Sequence, residues 1–278
     1  DDETTQQQLF WLFDIDPRGI DGFVGHEVAG AYDKALGFAE QWILDLLGVD
    51  SVQDDDLDLI LKRFGNAFPK TSDFSEFVRE LEGDFDPASE AADIALMRYL
   101  NREEALFRTL ERHIISERLR AGFVTDEEVD VDAFVSFSLS VQNRRKSRAG
   151  HALENHLSAI FEAGEISFSR GAQTEGKKRP DFLFPSEASY HDINFPADRL
   201  TLLGAKSSCK DRWRQVLSEA ARIPEKHLVT LQPSISSAQT DEMAASGLQL
   251  ILPEGLHATY APCQQRALMS LDGFIQLV

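Results

Sequence analysis

Three residues in the second half of this chain have the types and the order that metal-assisted phosphodiester hydrolysis requires: Asp181, Lys206 and Glu219. Asp181 follows a proline and opens the apolar run Phe182, Leu183, Phe184, and Lys206 ends a second run containing Leu200, Leu202, Leu203 and Ala205. If the two runs are adjacent strands, their ends bring a carboxylate and an ammonium side by side. Hydrolysis of a phosphodiester at neutral pH needs a hard cation on oxygen ligands, a polarised phosphate and an activated water. Asp181 can hold the cation and Lys206 can orient or deprotonate the water while steadying the phosphate. Glu219, expected on the helix that follows, can assist through the metal or its water. The cofactor expected is Mg²⁺, with Asp181 and Glu219 as its protein ligands. The bland alternative is a common PD pair and a solvated lysine at a strand end.

The flanking residues argue against that alternative. Lys210, Asp211, Arg212 and Arg214 fall within five positions just after Lys206. Arg and Lys can donate to guanine O6 and N7, and a carboxylate can accept from the cytosine amino group, so such a segment suits reading of C·G pairs. A helix N-terminus with solvated charges would use the same residues.

Four blocks carry a resemblance to a known family: NRRKSRAGHALENHL from Asn143, KKRPDFLFPS from Lys177, LGAKSSCKDRWRQVLSEAARI from Leu203 and LVTLQPSISSAQ from Leu228. Together they resemble the type II restriction endonucleases of the EcoRII C-terminal catalytic-domain family, within the PD-(D/E)XK nuclease superfamily. The resemblance runs from roughly residue 68 to the end. It implies a metal-binding carboxylate at Asp181, a catalytic lysine at Lys206, a distal acid at Glu219 and an upstream helix acid at Glu154. It also implies base reading by Lys210, Asp211 and Arg212, on a palindrome with CC and GG halves. Some relatives flip the central base pair and stack each flipped base on an arginine and an aromatic ring. Here the helix NREEALFRTLERHI offers Phe107, Arg108, Arg112 and His113 for that, although a core helix explains the same residues.

Charge and composition bound the remaining possibilities. The 278 residues can bury a substantial core as one large domain or two small ones. The net charge of −19 would ordinarily argue against a nucleic-acid partner. Its distribution is uneven, however. Residues 1–100 carry 23 acidic and 7 basic side chains, whereas residues 101–278 carry 24 and 21. A basic face can therefore exist on an acidic chain, and the run Arg144, Arg145, Lys146 and Arg148 would suit the phosphate backbone. Tyr190, His191 and Arg214 are further backbone-contact candidates, with packing as the alternative for Tyr190. Cys209 and Cys263 are the only cysteines and are expected as reduced thiols. No signal peptide and no run of membrane-spanning length is seen, so a cytoplasmic, bacterial enzyme without a membrane partner is expected. No Walker-type loop or dinucleotide fingerprint occurs, which argues against a nucleotide cofactor. The histidines lack zinc-ligand spacing.

The elements that must position these residues follow from apolar periodicity. Residues 7–48 have helical spacing, as do Leu57–Phe64, Ser72–Leu81 with a Ser or Asp cap, and Ala88–Arg120. Val135, Phe137, Leu139 and Val141 alternate like a strand, but the resemblance runs a helix into RRKSRAGHALENHLSAIF, and we expect the helix. Strands are expected near Ile166–Ser169, Phe182–Phe184, Thr201–Lys206, His227–Leu231 and Gln249–Leu252. Helices are expected near Arg212–Arg222 and Ser237–Ala245. The fold class is α/β: a central mixed β-sheet flanked by helices, restriction-endonuclease-like, with a helical N-terminal part. We expect an acidic helical region over residues 1–67 and a nuclease domain over 68–278.

These expectations combine into a homodimeric type II restriction endonuclease acting on double-stranded DNA. It would cut a palindrome with a CCGG, CCNGG or CCWGG core and leave a 5′ overhang. A DNA-binding protein that does not cleave and a repair or junction nuclease on the same fold are the competing readings.

Overall fold

The computed structural model describes residues 54–83, 85–125, 128–209 and 212–278. All of these lie in one compact unit spanning residues 52–278. The helices expected within residues 7–48, and the base-reading candidates Lys210 and Asp211, lie outside the described residues.

Three helices come first: α1 (Asp54–Phe64), α2 (Thr71–Leu81) and the long α3 (Ala92–Ala121). Their apolar stripes converge on Ile60, Phe74, Phe77, Val78, Leu106, Phe107 and Leu110. Burying several such side chains, at about 1.5–3 kcal/mol each, is what holds short helices such as α1 and α2 in place. Helix α1 begins at Asp54, three residues before the expected start. Helix α2 lacks the expected Ser or Asp cap. Its N-cap is Lys70 with no capping side chain, and Ser72 Oγ donates instead to Asp73.

A small ribbon of β1 (Val124–Thr125) and β2 (Glu128–Val129) leads into α4 (Val131–Ala163), which Asp130 caps by accepting from the Ala133 amide at 2.8 Å. The alternating Val135–Val141 segment is therefore helical. Phe134, Val135 and Leu139 are exposed while Val141 is buried, so the segment is not a half-buried strand.

The central sheet has the order β3 (Ser169–Arg170), β4 (Phe182–Phe184), β5 (Thr201–Lys206), β6 (Lys226–Thr230), β7 (Leu248–Ile251). Pairing is antiparallel from β3 to β5 and parallel from β5 to β7, giving the expected mixed sheet. The first strand is shorter and later than expected. Ile166 and Phe168 instead pack beneath the sheet as the chain leaves α4, and Glu165 turns with φ +54°.

Alternation along the strands separates two cores. Phe182, Phe184, Leu203, Ala205, Val229 and Ile251 face α3, α4 and the C-terminal helix α10 (Leu271–Ile275). Leu183, Leu202, Leu228 and Leu250 face the opposite side, which is covered by α5 (Glu187–His191), α6 (Trp213–Leu217) and α7 (Ser237–Ala245). Two short helices, α8 (Glu254–His257) and α9 (Pro262–Gln265), precede α10. Phe161 of α4 meets Phe182 and Phe184 edge-on, with centroids 5.4 and 5.3 Å apart. Each such pair adds roughly 0.5–1.5 kcal/mol beyond area burial and fixes α4 against β4. On the other face Gly204 is required by a close approach: a Cβ there would stand 2.7 Å from Val216 Cγ2 of α6. No helix among the described residues is long and apolar enough to cross a membrane.

Candidate active site

Antiparallel register brings the two candidate catalytic strands together. Phe182 pairs with Leu203 and Leu183 with Leu202, so the residue before β4 lies against the far end of β5. Asp181 Oδ2 accepts from the Ala205 amide at 2.7 Å and from Lys206 Nζ at 2.5 Å. Both side chains are about one-sixth exposed, Asp181 at 16% and Lys206 at 17%. The pair is therefore reachable from solvent but desolvated enough to strengthen its electrostatics.

Glu219 reaches the same place by a route that helical periodicity does not foresee. The expected helix Arg212–Arg222 is only α6, Trp213–Leu217, and Glu219 lies beyond it in a turn. The Glu219 amide still donates to Val216 O at 3.1 Å, but Ala220 then adopts φ +47° and ends the helical path. The carbonyls of this turn bind side chains, and Ala220 O accepts from the Ile223 amide at 2.9 Å as well. Ser218 O accepts from Lys178 Nζ at 2.7 Å, and Lys226 Nζ donates to Glu219 O at 2.5 Å and Ala220 O at 2.6 Å. The Ala221 amide donates to Glu175 Oε2 at 3.2 Å. Arg222 grips the main-chain oxygens of Tyr190, Asp192 and Phe195.

The charge of Asp181 acts on the Glu219 carboxyl. Burial pushes the Glu219 carboxyl above its ordinary range and the negative charge of Asp181 pushes it further, while Lys206, Lys226 and Lys178 oppose the rise. Burial likewise pushes the Lys226 ammonium down, against the pull of Glu175 and Glu219. A cation would relieve both the burial of the Glu219 charge and its repulsion by Asp181. No group of three or more His, Cys, Asp or Glu side chains among the described residues could hold a metal ion. Two carboxylates nevertheless fit Mg²⁺, which usually keeps several waters and takes one or two protein carboxylates plus substrate phosphate.

The other candidates divide by what they touch. Glu154, on α4, pairs with Arg170 at 2.9 Å, and Arg170 is one residue out of register from Asp181 across β3 and β4. Arg212 is exposed and its Nη2 donates to Ser208 O at 2.7 Å and Ser208 Oγ at 2.9 Å. Arg214 lies over the Trp213 ring and binds Glu242. Cys209 is buried, its amide donates to Gln232 Oε1 at 2.7 Å, and burial pushes its thiol up to about 11. Cys263 is also a free thiol.

Several candidates are engaged elsewhere. Tyr190 is buried and donates to Glu175 Oε1 at 2.5 Å, so its hydroxyl braces the Glu219 turn and does not face solvent. Neighbouring His191 is exposed, with Nε2 at 2.9 Å from Gln173 O. Phe107 is 4% exposed in the helical core beneath the Arg148 guanidinium, so it presents no face for stacking. Arg108 pairs with Glu104, Arg112 is exposed and His113 is half-buried. Within the basic run, Arg148 is buried against Glu103 and Glu104, Arg145 binds the buried Glu111, and Arg144 covers Phe68. Lys146 is exposed. Sequence reasoning missed Lys178, Lys226, Glu175 and Arg222. The one signal was a lysine opening an otherwise apolar strand in KHLVTL.

Comparisons with known proteins agree on the family. The model for the EcoRII C-terminal domain matches residues 107–275. The type II restriction enzyme EcoRII of Escherichia coli is 41% identical over 211 residues, which are 75% of this chain and 50% of that enzyme. This chain thus spans about half the length of that relative. Among solved structures, metal-depleted Ecl18kI in complex with uncleaved, modified DNA is similar with a TM-score of 0.63 and 18% identity, covering 80% of this chain and 82% of that one. The restriction endonuclease PspGI–substrate DNA complex is similar with a TM-score of 0.60 and 15% identity, over 76% and 93%. At those identities the two structures speak for the fold. The family model, which spans more than half of the chain, shows that the chain belongs to the EcoRII C-terminal family.

Proposed function

We propose that this protein is a type II site-specific deoxyribonuclease that cuts both strands of a palindrome with CC and GG halves. The observation that supports the reading is the Asp181–Lys206 pair at the adjoining ends of β4 and β5 in a chain of this family, with the Glu219 carboxyl under the charge of Asp181. Asp181 and Glu219 would hold Mg²⁺. When bound, that ion supplies positive charge against the phosphate and favours formation of a hydroxide nucleophile at neutral pH. The Ala205 amide fixes one oxygen of Asp181, leaving the other for the cation. Lys206 neutralises the site when no cation is present and, with substrate bound, orients the attacking water and donates to the phosphate.

Lys210, Asp211 and Arg212 would read the C·G pairs, and the exposure of Arg212 beside the catalytic strand end supports that role. A two-fold DNA site is most simply met by two copies of the chain, each cutting one strand. The core would be CCGG, CCNGG or CCWGG, cut 5′ of the cytosines to leave a 5′ overhang. Glu154 could join the acids only after releasing Arg170.

Digestion of a fully sequenced plasmid with Mg²⁺, followed by mapping of the fragment ends, tests activity, site and cut position together. Ends that fall at one CC/GG palindrome support the reading, and random nicking or no cleavage overturns it. Arg212→Ala should lose about 1–3 kcal/mol of discrimination at a single G·C pair in competition binding. Equal weakening on every sequence would make Arg212 a phosphate contact.

A further inference from the structure

Glu219 belongs to a segment whose path is not set by its own helix. Helix α6 ends at Leu217, Ala220 is left-handed, and the carbonyls of Ser218, Glu219 and Ala220 each accept from a lysine. Lys178 stands three residues before Asp181, and Lys226 opens β6, the strand paired in parallel with β5, while Lys206 at the far end of β5 pairs with Thr230. Lys226 is only 4% exposed, although a lysine is rarely buried without a partner. Its ammonium bridges two consecutive carbonyls at 2.5 and 2.6 Å, and its own amide donates to Gly247 O at 2.9 Å. A buried charge spent on two backbone oxygens costs desolvation that packing alone does not require. In return it defines where one carboxylate stands relative to another.

We propose that Lys226, assisted by Lys178, is the positioning residue that presents Glu219 to the cation beside Asp181. This rests on the assignment of Glu219 as a metal ligand. Lys226 reaches the carbonyl of Glu219 and not its carboxylate, so it acts on placement of the side chain. Without it, the left-handed turn at Ala220 loses the two contacts that tie the Glu219 and Ala220 carbonyls to β6, and Glu219 is less firmly placed.

The test compares wild type, Lys226→Met, Glu219→Gln and the double variant. One measurement is the Ca²⁺ concentration at half-maximal binding of a fluorescent duplex carrying the mapped cleavage site, which needs no turnover. The other is the Mg²⁺ midpoint of cleavage. Groups that orient a metal ligand typically contribute about 10–100-fold to metal affinity. Lys226→Met should therefore raise the Ca²⁺ midpoint by about that factor. Adding it to Glu219→Gln should bring little further loss, because the lysine acts through the acid. An unchanged midpoint in Lys226→Met, or full additivity in the double variant, overturns the proposal. If Lys226→Met fails to fold, Lys178→Ala removes an exposed side chain from the same turn. It should raise the midpoint by a smaller factor, and no rise overturns the proposal. A Glu219→Gln midpoint equal to that of wild type overturns the assignment of Glu219 as a ligand, and this inference with it.

Discussion

Two charged clusters in this molecule contain similar residues and are built for opposite ends. In the helical layer, Glu103 is fully buried and binds Arg148 at 3.1 Å and His156 Nε2 at 2.8 Å, while Arg79 Nη1 lies 3.3 Å from His156 Nδ1. His156 is held below its usual range by burial, despite the opposing hydrogen bond it makes to Glu103. Burial works to raise Glu103, but its bonds to His156 and Arg148 hold it below the ordinary carboxylate range. Both directions fit a neutral imidazole that donates to an ionised Glu103 and accepts from Arg79. Nearly every donor there finds an acceptor, apart from Arg148 Nε, which is buried without a partner. At the adjoining ends of β4 and β5, Asp181 pairs with Lys206, and Glu219 is raised by burial first and by Asp181 second, against the charges of Lys206, Lys226 and Lys178. A buried network closed on itself stabilises one conformation, whereas carboxylates at solvent-reachable strand ends can bind something.

The largest expected effect separates the two clusters by what fails. Lys206→Ala should reduce cleavage by about 10²–10⁴-fold, the usual scale for a positioned proton-transfer group, and Asp181→Asn should reduce it at least as far. Both proteins should keep native near-ultraviolet circular dichroism. Near-normal cleavage by either variant would remove the proposed active site. In the helical cluster the loss should appear in stability. Arg148→Met leaves Glu103 buried and should cost about 3–5 kcal/mol in urea unfolding, with Arg148→Met/Glu103→Gln recovering part of it. A loss below about 1 kcal/mol would mean that the buried network is not the structural element described here.

Between these extremes lies Gly204, which serves both fold and site. Gly204→Ala forces its Cβ against the β-branched Val216 and should cost about 1–3 kcal/mol, as overpacking does. Because Val216 belongs to the helix that leads to Glu219, cleavage should fall as well, even at temperatures where the variant is fully folded. Stability loss with unchanged cleavage would show that α6 moves without carrying Glu219 with it.

The catalytic strands were legible because their information is local. Phe182–Phe184 and Thr201–Lys206 are apolar runs ending at turn-forming or charged residues, and the structure places both where periodicity put them. The long helix over residues 131–163 was not legible from alternation alone. Its period-two pattern read as a strand, and the family resemblance decided in favour of helix. Glu219 was legible by type but not by backbone. The expected eleven-residue helix stops after Leu217, and the carbonyls of the turn that follows are held by Lys178 from before β4 and Lys226 from the start of β6. Among the basic residues, Arg148 and Lys146 look alike in sequence, yet only Arg148 meets the buried Glu103.

By itself the sequence determined the two apolar runs that Asp181 opens and Lys206 ends, since strand period follows from neighbouring residues, while their pairing and register belong to the fold. It also determined the family, through four blocks in fixed order. Only the tertiary structure decided which charges are matched and which remain open, because ion pairing depends on partners brought together across tens of residues. Glu103 and Glu219 are both glutamates in helical text, the first buried and the second half-buried. One is closed by Arg148 and His156, the other is turned by Lys178 and Lys226 toward an aspartate, and that difference lies in three-dimensional contact.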